Sequence, residues 1–293
     1  MLVHFPPPPP GVTVIGSNAY GDIWSDGVRR TLQEEAKPLP TIPRLIDGNN
    51  KARRQFEANP GTALRTLFDE AYWCPAPQIW VFDGTNSKAV RRKIYPDYKA
   101  NRPPATDGFY RTLDFFKELL MHAPVIMIQV PEVEADDVIA TMAKTSEDPV
   151  EIHSNDGDYN ALESDLVKVI GTTKDGTDPT EVRLMKTLWK DGSDNLKGIH
   201  NFGEKAWLSM TPEFKADMLA WILEQGEFPA HHFTTKLCKP VHAEWCQQNA
   251  ALLRAYWKVA GFIDVPQDII SKHMTFGKAN AKIADAKLKD LFL

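Results

Sequence analysis

Apolar residues along this chain come in short runs that stop at acids. Arg44–Asp47 (RLID) ends in Asp47, Gln78–Asp83 (QIWVFD) ends in Asp83, and Val150–Asp156 (VEIHSND) ends in Asp156, with Asp158 close behind. A fourth run, Pro124–Val130 (PVIMIQV), leads into Glu134, Asp136 and Asp137. Short apolar, β-branched runs bounded by turn formers predict strands. Between them the period changes: Phe109, Leu113, Phe116 and Leu120 recur at i, i+4, i+7 and i+11, which predicts a helix within 109–123. Strands that alternate with helices predict an α/β fold, a mostly parallel central sheet with helices on both faces. The carboxyl ends of such strands line the ligand crevice. Four segments are therefore expected to deliver carboxylates to one edge, through Asp47, Asp83, Glu134, Asp136, Asp137, Asp156 and Asp158. Beyond about residue 192 the pattern is helical through to Leu293.

Each acidic stretch also has an ordinary reading. Acids in a first helical turn are stabilised by the helix dipole, by roughly 0.3–1 kcal/mol each, and "SNDGDYN" and "DGNN" are turn sequences. Taken together they ask for more. Carboxylates crowded within a few ångströms repel, and without a counter-charge some must take up protons. Divalent cations remove that penalty, and an all-oxygen donor set suits Mg²⁺, with Mn²⁺ able to substitute. Seven carboxylates exceed the needs of one octahedral ion. Two ions ~3.5–4 Å apart are the usual arrangement for phosphodiester hydrolysis.

Composition narrows the class. Apolar residues make up 43% and charged residues 25%, the balance of a soluble globular protein. No run approaches the ~18 apolar residues of a membrane span, and no secretory signal opens the chain. Cys74, Cys238 and Cys246 form no even framework, which fits a reducing cytosol and a cytoplasmic location. The formal charge of −5 argues against a general nucleic-acid binder, but residues 88–102 hold six Lys/Arg against one Asp. There Arg91, Arg92, Lys93, Lys99 and Arg102 interleave with Tyr95 and Tyr98. Cations can take phosphates while aromatic rings stack on bases; the alternative is a solvated charged face. Residues 1–43 contain eight of the 22 prolines and are expected to form a tail, with a proline-rich partner ligand as an alternative. His231, His232, Cys238, His242 and Cys246 are zinc-capable types. On one straight helix Cys238 and Cys246 would lie ~12 Å apart, too far to share an ion, so ordinary partly buried residues are the competing reading.

"FDG" (82–84), "YPDYKANRPP" (95–104), "EADDVIATMA" (134–143), "NDGDYNAL" (155–162) and "DGSDNLKGIHNFGEKA" (191–206) occur in that order. Together they resemble the 5′ nuclease family: the 5′-3′ exonuclease domain of bacterial DNA polymerase I, stand-alone phage exonucleases and flap endonucleases. The likeness covers about 44–206, with a fainter match at 252–269. No polymerase segment comes after it, so the phage stand-alone type is the nearer likeness.

The resemblance implies a PIN-like catalytic core over 44–192, with a helical arch at about 85–108 around a free 5′ end. It implies a helical DNA-binding region over 193–293, carrying a helix–hairpin–helix-like module. It adds Asp191 and Asp194 to the metal group, gives Lys99 the polarisation of the scissile phosphate with Arg102 assisting, and places Gly198, Gly203 and Lys205 at the duplex backbone, with a K⁺ ion near 198–203. Glycine there would admit a tight backbone and close phosphate approach. This chain departs from the family pattern at Lys190, where Gly is usual, and at His200 and Asn201, where Pro and Gly are usual; Asn tolerates a left-handed backbone. The implied function is a two-Mg²⁺ 5′-3′ exonuclease and 5′ flap endonuclease of phage DNA replication or recombination, with RNase H activity for primer removal. Alternatives are a non-catalytic DNA-end or flap binder, or a mainly RNA-directed nuclease of the same fold. The expected partners are DNA with free 5′ ends, flaps or nicks, RNA–DNA hybrids, and a replication protein bound through the tail. A monomer without membrane contact is expected, in the host cytoplasm for a phage-encoded protein.

Overall fold

The structure, a computed structural model, describes residues 42–173 and 176–290. The expected proline-rich tail lies outside them as far as residue 41. The elements run β1 (Arg44–Asp47), α1 (Gly48–Ala58), α2 (Ala63–Trp73), β2 (Gln78–Phe82), α3 (Ala89–Ile94), α4 (Asp107–Leu120), β3 (Ile126–Gln129), α5 (Ala135–Lys144), β4 (Val150–His153), a 3₁₀ helix (Gly157–Leu162) and β5 (Val167–Ile170). They continue with α6 (Pro179–Leu188), α7 (Glu204–Leu208), α8 (Pro212–Ile222), a 3₁₀ turn (Ala230–His232), α9 (Pro240–Gln248), α10 (Ala250–Val259), α11 (Gln267–Lys272), β6 (Met274–Phe276) and α12 (Ala281–Asp290).

The chain divides into two compact units. The first holds the described residues up to Thr85, Ala105–Thr172, and those from Val265 onward; the second holds Asn86–Pro104 and Thr173–Asp264. This grouping differs from the expected division at 44–192 and 193–293. Tyr95, Tyr98, Leu184 and Leu188 are buried in the helical core of the second unit, and so draw the arch segment and α6 into it. The C-terminal segment returns to the first unit because Ala284 and Leu288 are buried in that core.

All six strands lie in the first unit, ordered β5-β4-β1-β2-β3-β6. Every pairing is parallel except β3 with β6. The chain moves outward from β1 through β2 to β3, then crosses back by way of α5 to place β4 on the other side of β1. The order therefore reverses at β1, and the crevice at such a switch point opens at the strands' carboxyl ends. β2 is buried along its whole length, as a central parallel strand covered on both faces should be. Ile46, Trp80 and Phe82 face a core with Phe68, Phe116 and Leu119, where the Trp80 and Phe116 rings meet edge to face at 5.1 Å. Each such side chain contributes roughly 1.5–3 kcal/mol by leaving water. Alternate residues Leu45, Ile79 and Val81 point to the opposite face, where α5 packs against β1, β2 and β4.

Two strands escape the sequence pattern. β5 alternates buried Val167 and Val169 with exposed neighbours, but only over four residues. β6 has three residues and exists as a strand through its pairing with β3, so the expectation of a wholly helical C-terminal region is corrected there. The second unit has its own core, built on Trp207, Phe214, Met218, Phe233, Leu253 and Tyr256.

Candidate metal centre and nucleic-acid contacts

The acids of the first unit sit where the strands end, and three of them cap the start of a helix. Asp47 closes β1, and one carboxylate oxygen accepts from the Asn50 amide (3.0 Å), capping α1. Asp83 comes directly after β2 and accepts from the Ala135 amide (2.9 Å) at the start of α5. Asp156 lies just beyond β4 and accepts from the Asp158 amide (3.0 Å), capping the 3₁₀ helix. Holding a helix start is thus one role of these three side chains. It accounts for one oxygen of each, and a carboxylate has about four lone-pair directions to satisfy. Glu134 and Asp137 are buried, and Asp136 is half-buried in the first turn of α5.

The second oxygen of Asp47 accepts from the Ser154 hydroxyl (3.2 Å), and that hydroxyl accepts from the Asp156 amide (3.1 Å). Burial, with the nearby charges of Asp83 and Asp156, raises the Asp47 carboxyl to about 7 despite its two hydrogen bonds. Tyr159 is fully buried beside it. Burial first, then the charges of Asp47, Asp136, Asp156 and Asp83, push its phenol well above the ordinary range. Carboxylates from four chain segments thus add to burial in disfavouring ionisation of one phenol. Sequence reasoning did not single out Ser154, Tyr159 or Asn49, whose side chain accepts from the Asp83 amide (3.0 Å). Ser154 and Tyr159 flank Asp156 within "SNDGDY", a signal that was legible.

Asp191 and Asp194 belong to the second unit. One Asp191 oxygen accepts from the Ser193 amide (2.8 Å), the Ser193 hydroxyl (2.7 Å) and the Asp194 amide (3.3 Å), which folds the loop back on itself. Burial pushes Asp191 up, but those bonds and Lys186, 3.6 Å from its other oxygen, outweigh burial and leave it below the usual range. Asp194 is raised, chiefly by burial, although Lys99 (3.7 Å) and Arg102 (3.2 Å) both oppose the rise. The expected phosphate-polarising pair thus converges on one acid. Lys99 has φ of 51°, and its amide donates to the Asp194 carbonyl (3.2 Å). Arg102 also donates to the Ser193 carbonyl (2.7 Å).

Three residues expected to hold nucleic acid are corrected by their burial. Tyr95 and Tyr98 are core residues of the second unit, 7% and 1% exposed, so neither ring presents a face for a base. Tyr95 packs against Tyr256 (5.0 Å) and donates its hydroxyl to the Asn195 carbonyl (3.1 Å). Arg91 is 3% exposed and donates to the carbonyls of Val259 (3.2 Å) and Gly261 (3.1 Å). The cause is the amphipathic phase of α3 and the turn after it, which puts Arg91, Tyr95 and Tyr98 inward and Arg92 and Lys93 outward. Of the expected arch, Ala89–Ile94 is helix and the residues before Asp107 are turns and extended chain.

In the hairpin, Gly198 has φ of 65°, and a Cβ there would lie 1.8 Å from the Trp189 carbonyl oxygen. Asn201 takes a left-handed conformation (φ 57°), as its residue type allows. Gly203 caps α7 with an extended backbone, and nothing lies within 4 Å of where its Cβ would be. Lys205 is exposed.

The family model for the 5′-3′ exonuclease N-terminal, resolvase-like domain matches residues 44–187. DNA polymerase I of Thermus caldophilus is 30% identical over 201 residues, 58% of this chain, which spans only 24% of that polymerase's length. A 5′-3′ exonuclease of Aquifex aeolicus is 32% identical over 218 residues, covering 63% of this chain and 75% of that protein. The T5 5′-exonuclease with bound zinc shares the fold at a TM-score of 0.53 and 22% identity, over 84% of this chain and 98% of that one. A bacteriophage T5 flap endonuclease in complex with DNA and metal ions does so at 0.54 and 22%, over 85% and 98%. With strand-end acids on a parallel sheet and a relative of that identity matched over three quarters of its length, this chain belongs to the 5′-3′ exonuclease family.

Proposed function

We propose that this protein is a divalent-metal-dependent 5′ nuclease that hydrolyses DNA phosphodiesters near free 5′ ends, flaps and nicks, with Mg²⁺ as its ion. The observation that carries the reading is the placement of Asp47, Asp83 and Asp156 at or just past the carboxyl ends of strands β1, β2 and β4, with Asp83 holding the start of the helix that carries Asp136 and Asp137. The donor set fits a hard divalent ion: the groups are carboxylates, and burial, with the nearby charges of Asp83 and Asp156, raises Asp47 to about 7, a penalty that a bound cation offsets. Bound ions of this kind activate water and stabilise a leaving oxygen. In the proposal Asp47, Asp83, Glu134, Asp136, Asp137, Asp156 and Asp158 hold them. Asp191 and Asp194 keep a proposed ligand role from family likeness; within their own unit they also hold Lys186, Lys99 and Arg102 in place. Lys99 and Arg102 offer positive charge to the scissile phosphate. Exposed Arg92, Lys93 and Lys205, with the open backbone at Gly203, take the phosphates of the bound strand.

The relatives' names and the T5 complex with DNA and metal ions support this reading. It is tested with 5′-flap, nicked, blunt and RNA–DNA hybrid substrates labelled at both ends, titrated with Mg²⁺ and with EDTA. Metal-dependent cleavage near the 5′ end is expected, and Asp136→Ala abolishes it while circular dichroism stays native. Full activity of that variant sinks the metal assignment. Binding without cleavage would make the protein an end binder, and preferential attack on the hybrid would make it an RNA-directed nuclease.

A further inference from the structure

A second group of metal-capable side chains lies in the second unit and shares no residue with the acids above. Asp217 on α8 and His231 and His232 on the 3₁₀ turn place one donor atom each within 4.8 Å of one another. We infer that this trio is a Zn²⁺-binding site. Thr211 caps α8 through the Phe214 amide (3.1 Å) and fixes where Asp217 projects. The turn is anchored from below: Phe233 is 2% exposed and packs edge-on against Phe214 (4.9 Å), while the Phe214 ring stacks on His232 at 4.5 Å. His232 Nε2 lies 2.9 Å from an Asp217 oxygen, and the His231 ring is 4.0 Å from the His232 ring. Successive side chains usually diverge; the tight turn is what brings both imidazoles to one carboxylate.

The donors select the ion. Two imidazoles and a carboxylate match a three-ligand zinc set with one position left for water, whereas Mg²⁺ and Ca²⁺ prefer oxygen alone. Tetrahedral bonds of ~2.0–2.1 Å separate ligand atoms by roughly 3.3 Å, so the group must close up from its present spread. His231 is exposed and can rotate to do so without disturbing the core. To bind, a neutral His232 ring carries its single proton on Nδ1, which leaves the Nε2 lone pair and the Asp217 oxygen 2.9 Å from it for the ion. Among the described residues the group holds Asp217, His231 and His232, and neither Cys238 nor Cys246 belongs to it. The bound ion would tie the irregular stretch after α8 back onto that helix.

The protein has eight histidines, so ¹⁵N-histidine NMR reads the site directly. Zinc is titrated into EDTA-washed protein at about pH 7.5 in excess Mg²⁺ to keep the carboxylate centre loaded. The His231 and His232 ring nitrogens are expected to shift together and saturate at one equivalent. Asp217→Asn and His232→Gln should each weaken binding ~10-fold or more, at least what loss of an outer-shell partner costs. The remaining histidine signals report whether each variant stays folded. Unmoved His231 and His232 signals at several equivalents, or undiminished affinity in a folded His231→Gln/His232→Gln variant, overturn the site.

Discussion

The two hairpin glycines differ in what they are for. At Gly198 a side chain meets the Trp189 carbonyl and a left-handed backbone together. Gly198→Ala should therefore cost roughly 2–4 kcal/mol, as a lowered unfolding midpoint. Gly203 has open space around it, so Gly203→Ala should change stability by less than ~1 kcal/mol. A selective loss of DNA affinity in that variant would identify the open backbone as a phosphate contact, and unchanged affinity would remove Gly203 from the binding surface. Lys99 carries two roles that one substitution separates. Lys99→Ala removes one of the cations that stabilise the buried Asp194, which should cost roughly 1.5–3 kcal/mol. Its proposed catalytic role predicts in addition a turnover rate that falls far more than DNA affinity. Equal losses in rate and affinity would reduce Lys99 to a phosphate contact.

At the scale of elements, strand ends and helix starts are joined by the same acids. Asp47, Asp83 and Asp156 each use an oxygen to hold a helix start, so the helices are positioned by side chains that are also the proposed ligands. The apolar runs made β1 to β4 legible, because each is buried and bounded by turn residues. β6 was not legible, since three residues carry no period; it pairs with β3 in antiparallel register, Ile126 opposite Phe276. Gly277 comes right after it, where a Cβ would sit 2.3 Å from the carbonyls of Leu120 and Ala123, a close approach that marks the join. Truncation after Asp264 removes α11, β6 and α12, uncovers the β3 edge and takes Ala284 and Leu288 from the first core. Such a chain should aggregate or lose its cooperative unfolding transition; a soluble, cooperatively folding product in sedimentation and melting experiments would refute that role.

For the whole molecule, the crowded carboxylates make stability depend on pH and metal together. Asp47 titrates near 7 in the folded chain against an ordinary value of 3.8. Its contribution is complete below about pH 4 and is lost as pH rises through 7, on the order of 4 kcal/mol in full. In EDTA the urea midpoint should fall between about pH 5 and pH 8, and saturating Mg²⁺ should reverse the fall. A metal-free midpoint that rises over this window would mean that the folded chain does not hold Asp47 protonated. The sequence by itself determined the α/β class, the strand-end placement of Asp47, Asp83 and Asp156 and the family, because these depend on local period, on residue type and on motif order. It also offered three residues of the basic block as nucleic-acid contacts, and there it misled. Whether an arginine or tyrosine faces solvent or a core depends on the phase of a helix against partners far away in the chain. Tertiary structure alone decided that Arg91, Tyr95 and Tyr98 turn inward, that β6 completes the sheet, and that His231 and His232 meet Asp217, since each rests on a contact between residues that no local pattern links.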